Sequence, residues 1–463
     1  MKRFWGMVLA LALSATAAQA GGLMTNTNYH IAFDRMMARG ASMDIDAAYS
    51  NPAGLAWGHE GWQLSLNFQK PWQNRDIKYN GTKYEGVASA PIVPALFASY
   101  KKDRWAVSTM IGIVGSGGYV EYDDGVPMFN VLLGSTITQM TQGLNQATGG
   151  VAPVVTPDGF DSEMKGKQYI YGGQLNFTYK ILDCLSAAVG LRANYYDGYY
   201  RGHVKANHSA IGNLASLSLD VDQKGWGFTP IISVSYHQGP LTLAARYEFR
   251  TKISTENETN SLSATLNSEQ LIEAPLVKLV AAGALPAEQA AGMAAQIKQT
   301  VSSGLAAYTA PYEDGAKTRY DMPAMLSVAA GYEFTPRLRA TLEYHFFDDK
   351  NAKMAGDRQE ELTHGTHEFL AGVEYDINER FTVSCGGQRT DYGLSDGYQQ
   401  NTSFACDSWS VGLGGAWNIT EKVRLNAGYF ITIYSDYDKQ ASYGQETYSR
   451  TNNVVGIGLD YKF

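Results

Sequence analysis

The sequence predicts an all-β protein: a 14-stranded antiparallel transmembrane β-barrel with an N-terminal plug and helical extracellular insertions. Three observations lead there. From about residue 60 the chain falls into segments of about 9 to 14 residues in which apolar and polar side chains alternate, separated by turn chemistry. The composition is low in charge, 18%, with 48 Gly and 30 Tyr in 463 residues, which excludes disorder, coiled coil and collagen. The mean hydropathy is -0.25, and no apolar run of about 18 residues follows residue 20, so a helical membrane protein is excluded while a barrel is not. The net charge of -8 offers no basic footprint, and nucleic acid is not expected as a partner.

At the N-terminus, Met1-Lys2-Arg3 is basic, Phe4 to Ala18 is apolar and small, and Ala18-Gln19-Ala20 fits a small-x-small cleavage site. Residues 1–20 therefore read as a secretory signal peptide, with a mature chain from Gly21 that has no Cys to carry a lipid anchor. Residues 21–60 precede any strand and are too long and too apolar for a simple tail. The three cysteines, Cys184, Cys385 and Cys406, are too scattered for a disulfide framework. A Cys385–Cys406 bridge and two unbridged wall or loop residues both stay open, the second being favoured.

The barrel is expected over 61–463, with strands at 61–70, 92–101, 104–116, 168–180, 184–200, 219–237, 240–253, 317–334, 337–349, 365–376, 380–391, 404–418, 421–434 and 451–463. The last strand shows the pattern: Val455, Ile457, Leu459, Tyr461 and Phe463 share one face, Gly456, Gly458, Asp460 and Lys462 the other. Tyr and Phe near the strand ends suit interfacial girdles, and short turns such as Thr335-Pro336 alternate with longer connections, as in a barrel with periplasmic turns and external loops. Two insertions, 121–167 and 254–316, carry helical spacing: Phe129, Leu133, Ile137, Met140 and Leu144 in the first, and Met293, Ile297, Val301 and Leu305 in the second, with Pro286 near a first turn.

The stretch Ala38-Arg39-Gly40-Ala41-Ser42-Met43-Asp44-Ile45-Asp46-Ala47-Ala48-Tyr49-Ser50-Asn51-Pro52-Ala53-Gly54-Leu55 resembles the plug signature of the outer-membrane long-chain fatty-acid transporter family, the FadL family. The resemblance extends over the whole chain, from leader to terminal aromatic. It implies a monomeric barrel in the cell outer membrane of a Gram-negative bacterium, among outer-membrane lipid and lipopolysaccharide, with no cofactor. Its implied function is uptake of hydrophobic compounds, long-chain fatty acids first and hydrocarbons second. Cargo is captured in an external groove, passes to a lumen plugged by residues 21–60 and leaves sideways where the third strand is kinked.

On this reading the capture groove draws on Phe129, Leu133, Ile137, Met140, Leu144, Leu276, Leu279, Met293, Ile297 and Val301, although the same stripes would equally pack helix on helix. A carboxylate head group in an apolar pocket needs a cation, and Lys317, Arg319, Arg192, Arg246 and Arg250 have inward parity; an ion-pair ladder with Glu248, Asp321, Glu343 and Asp460 is the competing expectation. In the plug, Asn51, Pro52 and Ala53 are expected as an anchoring turn, with Asp44 and Asp46 facing a basic wall. Gly112, Gly115, Gly117 and Gly118 mark bulges for a lateral gate, and Pro94 in the neighbouring strand cannot donate a ladder bond. No catalytic or metal residues are expected. Gly115-Ser116-Gly117 is not a nucleophile elbow, and His364, His367 and Glu368 have a spacing that puts the histidines on opposite strand faces. An outer-membrane hydrolase and an adhesive or structural barrel are the rival readings.

Overall fold

The computed structural model describes residues 21–90 and 92–463; the expected leader, residues 1–20, lies outside the described residues. Fourteen antiparallel strands make the wall among the described residues: β1 (Gly61–Tyr79), β2 (Val93–Lys102, prolonged by Gly86–Ser89), β3 (Trp105–Tyr122), β4 (Gly159–Leu182), β5 (Leu185–His208), β6 (Gly212–Gln238), β7 (Leu241–Glu248, prolonged by Ser254–Leu266), β8 (Met325–Thr335, preceded by Lys317–Arg319), β9 (Leu338–Phe347), β10 (Thr366–Asp376), β11 (Phe381–Asp391), β12 (Ser408–Asn418), β13 (Val423–Tyr434) and β14 (Gly444–Lys462). Each strand pairs with its sequence neighbours, and β1 closes on β14 from Gln63 opposite Lys462 to Tyr79 opposite Glu446. Closure removes the edges that an open sheet would expose to lipid.

Several strands outrun the expected bounds. β4, β5 and β6 are 24, 24 and 27 residues long, where a bilayer crossing needs about ten, so they stand well above the membrane. The insertions are shorter than expected: 121–167 loses its ends to β3 and β4, and the first part of 254–316 is strand, with Ser254 opposite Trp226 and Leu266 opposite Ala215. What is left of them is helical, α3 at Pro127–Ala147, α4 at Ala274–Ala281 and α5 at Ala287–Thr309, with Pro286 as the N-cap of α5.

The outer face fixes the bilayer position. Along β1, Trp62, Leu64, Leu66, Phe68 and Trp72 are all exposed while the alternate residues are buried. One aromatic ring of side chains lies at the short-turn end, where Trp62 and Tyr100 pack at 4.9 Å, Phe381 and Trp417 at 6.1 Å, and Tyr461 and Phe463 at 4.7 Å. A second lies one span higher, with Tyr195 and Trp226 at 4.7 Å and Tyr344 and Phe369 at 5.2 Å. Trp62 and Trp72 are ten residues apart, about 33 Å along the strand, or about 25 Å along the axis at a tilt of ~40°, the height of an outer-membrane apolar band. Cys385 faces outward on β11 and Cys406 is buried in the loop after it; all three cysteines are free, so the bridge reading is set aside.

Residues 21–56 lie inside the barrel, almost all buried. They form α1 (Ile31–Met36), α2 (Ala47–Ser50) and a 3-10 turn at Pro52–Trp57. The His30 ring caps α1, accepting from the Ala32 N–H at 3.1 Å. Glycines on facing rungs, Gly414, Gly428 and Gly456, leave the wall flat where α1 lies against it, so this backbone approaches where side chains elsewhere fill the lumen. The Glu343 carboxylate of β9 accepts from the N–H groups of Arg39 and Gly40, both at 2.8 Å, and Arg35 pairs with Glu374 of β10.

The extracellular loop between β9 and β10 carries a buried acid, Asp349, whose Oδ1 has no hydrogen-bond partner while Oδ2 accepts from the Thr366 N–H at 3.3 Å. Burial pushes this carboxyl up to about 7, with Asp348 and Glu368 adding to the rise. A folded-state pKa above the unfolded value of about 3.9 makes the contribution to stability complete below about pH 4, and it is lost as pH rises through about 7. Amide exchange in 349–362, corrected for its intrinsic pH dependence, is therefore expected to quicken between about pH 4.5 and pH 7 and to level off above about pH 8. Asp349→Asn should flatten that rise; an equally steep rise in the variant would assign it to another group.

Candidate functional site

Among the described residues the longest break in a ladder between neighbouring strands lies between β2 and β3. β2 and β3 pair from Lys102 opposite Trp105 up to Leu96 opposite Ile111, and again where Gly86–Ser89 meets Tyr119–Tyr122. Between these stretches, residues 112–118 of β3 have no ladder partner on the β2 side, although Val93–Ala95 stay paired with β1. On its other side β3 pairs with β4 through two bulges, one between Ile113 and Gly115 and one between Ser116 and Gly118. Each bulge bends the strand and swings it away from β2. Ala90, Val93, Ile113 and Tyr169 close the cleft with an apolar cluster.

The carbonyls freed by this parting are taken by the N-terminal segment. The Asn26 N–H donates to Val114 O at 3.1 Å, Asn26 Nδ2 to Ile113 O at 3.2 Å, and the Tyr29 hydroxyl to Val114 O at 3.1 Å. Met24 O lies where a side chain on Gly115 would stand, so glycine is needed for this approach. Asn28 bonds to Gln69 of β1 in both directions, at 2.9 and 2.6 Å. Residues 24–29 thus satisfy buried backbone that would otherwise require a continuous ladder.

Above the membrane, an apolar crevice of about 520 Å³ opens between the tall strands and the first insertion, lined by Phe129, Met164, Val204, Leu219, Leu262 and Tyr312. Apart from Phe129, sequence reasoning missed these residues. Their signal was an inversion: the inward face of β6 changes from Gln223 to Val221, Leu219 and Leu217 above the upper aromatic ring, where an inward face is expected to be polar.

The segment 277–463 matches the family model of the outer membrane protein beta-barrel domain. No curated protein matches the chain in sequence. Among solved structures, a Pseudomonas aeruginosa FadL homologue superposes with a TM-score of 0.66 at 14% identity, covering 96% of this chain and 100% of that one. The chain has the FadL-type barrel fold. It is likewise similar to the Pseudomonas putida toluene transporter TodX, with a TM-score of 0.57, 13% identity and coverage of 96% and 100%. The Ralstonia pickettii toluene transporter TbuX superposes at 0.51, with 12% identity and coverage of 95% and 97%. Fold and family model together make it an outer-membrane barrel.

On this FadL-type frame the expected residues separate into groups. Gly112, Gly115, Gly117 and Gly118 all fall in the unpaired stretch of β3. Asn51 caps the 3-10 turn, its Oδ1 accepting from the Gly54 N–H at 3.2 Å and its Nδ2 donating to Ser42 O at 3.1 Å. Pro52 O accepts from Thr178 at 2.8 Å and Ala53 O from Ser186 at 2.7 Å, so the Asn-Pro-Ala turn is bolted to β4 and β5. Asp44 and Asp46 face Lys422, Arg424 and Lys462 of the wall across a shared pocket, while their salt bridges go to Arg39 of their own segment, at 3.3 and 2.6 Å, because the chain turns back on itself at Ser42.

The capture stripe needs a larger correction. Ile137, Leu144, Leu276 and Leu279 are buried in a core between α3, α4 and α5, with Leu133, Met140, Met293 and Ile297 packed against it; these faces meet one another and do not form an open groove. Val301 is half-buried on α5. The head-group expectation also changes. Lys317 is exposed and pairs with Glu256 at 3.4 Å, Arg319 is bidentate on Asp321, and Arg250 is exposed and bonds to Asn351 O. Arg192 pairs with Glu248, and Arg246, 3.3 Å from Glu248, stacks on the Tyr49 ring of α2 at 4.1 Å. His364 precedes β10, so strand alternation does not separate it from His367; their rings lie 5.2 Å apart, with His364 against Asp391 and His367 against Tyr344. Among the described residues Glu121, Asp123 and Glu163 bring three carboxylates together, and the Lys165 ammonium sits on two of them at 2.6 and 2.5 Å.

The Arg192–Glu248 pair is almost fully buried, 1% and 2% exposed. Glu248 is shared by two arginines, so removing the acid leaves uncompensated buried charge, which costs about 3–5 kcal/mol, whereas removing Arg192 leaves Glu248 on Arg246. Glu248→Leu is expected to lower the denaturant midpoint of the detergent-solubilised barrel far more than Arg192→Leu. Equal losses would show that Arg246 does not hold Glu248 in place of Arg192.

Proposed function

We propose that this barrel is an outer-membrane uptake channel for hydrophobic small molecules. Cargo enters the apolar crevice beside Phe129 and Tyr312, passes into the plugged lumen, and leaves sideways into the bilayer where β2 and β3 part. The observation that carries this reading is the broken ladder whose carbonyls are held by residues 24–29: an exit closed by a segment that can move without unfolding the wall. Sideways exit suits an apolar solute, since the route never crosses water. Long-chain fatty acids and neutral hydrocarbons are the cargo classes, the barrel acts as a monomer without enzymatic activity, and its upper aromatic ring seats it against lipopolysaccharide. The similar structures, a FadL homologue and two toluene transporters, support the cargo class.

The test is uptake of radiolabelled palmitate and radiolabelled toluene by a host strain lacking its own transporter, with and without this chain. At least one cargo should accumulate several-fold faster with the chain present. Rates equal to the empty strain for both would leave the adhesive or structural reading in its place.

A further inference from the structure

Two fully buried polar groups at the inner mouth of the cleft are short of hydrogen-bond partners: Oε1 of Gln168 on β4, which has none, and the Tyr196 hydroxyl on β5, whose hydrogen-bonding neighbour is the Tyr200 hydroxyl. Gln168 stands directly across the ladder from Gly118, at the edge of the second β3 bulge, and across the other ladder from Gly198. Tyr196 is two residues from Gly198, and its hydroxyl would lie 3.1 Å from a side chain placed there, so glycine keeps the space beside Gln168 open to the phenol. The Tyr196 ring stacks on Tyr320 at 5.1 Å, and the side chains packed around it include Met24, Ile170, Ile253 and Met322. The Gln168 carboxamide donates from Nε2 to the Met24 thioether at 3.9 Å, a weak acceptor. Buried polar groups are rarely left unmet, and the bare Gln168 Oε1 stands beside the Gly198 position that the Tyr196 hydroxyl overhangs, with no ammonium or guanidinium bonded to either among the described residues.

We propose that Tyr196 and Gln168 form a neutral hydrogen-bonding station that receives the uncharged hydroxyl end of an otherwise apolar cargo. The hydroxyl donates to Gln168 Oε1 and accepts from the Tyr196 phenol, Met24 staying on Nε2, while the hydrocarbon stays in the apolar surround. An anion there would be desolvated without a bonded cation, so an alcohol is preferred over a carboxylate. This rests on the uptake reading and narrows its cargo to apolar molecules ending in a neutral hydroxyl.

The experiment is a scintillation proximity assay on the full purified barrel in mild detergent, at pH 8, with tritiated dodecan-1-ol, dodecane and dodecanoate. The native chain is expected to bind dodecan-1-ol about tenfold more tightly than dodecane, the effect of satisfying one or two buried groups. Tyr196→Phe with Gln168→Leu should bring that ratio close to one and leave dodecane affinity within about twofold, which also shows that the variant is folded. If the variant keeps the preference, or if the native chain shows none, the station is refuted while dodecane binding still upholds the uptake reading. Tighter binding of dodecanoate, lost in the same variant, overturns it in favour of an anion site. Saturable binding of none of the three would remove the uptake reading together with this one.

Discussion

Deleting residues 21–50 should turn a closed barrel into an open pore. The segment fills the lumen and is held by contacts a solvated interior would replace: Glu343 receives two N–H groups from it, Glu374 its Arg35, and Ile113 and Val114 the bonds of Asn26. The closing ladder between β1 and β14 and those through β13 involve none of these residues, so the wall should persist. Once freed, the inward polar residues Gln63, Ser65, Asn67 and Gln69 line a water-filled passage. Conductance in planar bilayers is expected to rise at least tenfold, from near-silent to porin-like. A truncated barrel that folds and stays silent would place the closure in the external insertions.

What was legible in the sequence follows the lipid. Val455 to Phe463 alternate because one face meets hydrocarbon and the other the lumen, and β14 lies as expected around them. Ser254–Leu266 was hidden for the converse reason. It rises above the membrane, where Glu256 and Glu258 on one face and Thr255 and Asn257 on the other are all polar, so the period has no contrast to mark it. Helical spacing located α3 and α5 but could not name what their stripes touch; Ile137 and Leu144 share one core with Leu276 and Leu279 of α4, across more than a hundred residues of chain. Inward parity found Arg192 and Arg246 and named Glu248 among the partners of an ion-pair ladder, without assigning which arginine meets it, since a partner across strands depends on register, not on spacing. The proposed gate was half legible. Its glycines and Pro94 stand in the sequence, but the lack of pairing between β2 and β3 is a property of two strands together.

The central claim is that cargo leaves by the parting of β2 from β3, and a reversible staple tests it. A side-chain carbon on Gly112 would lie 3.5 Å from Ala95 Cβ, within disulfide reach, at the lower end of the cleft just above the last rung, Leu96 opposite Ile111. In a chain with Cys184, Cys385 and Cys406 replaced by Ser, Ala95→Cys with Gly112→Cys should bond under oxidation and pin β3 where it must swing. Uptake of labelled cargo is predicted to fall to the level of cells without the chain when the staple is oxidised, and to return on reduction. Equal uptake in the oxidised and reduced states, with the bond verified, would contradict lateral exit through this wall.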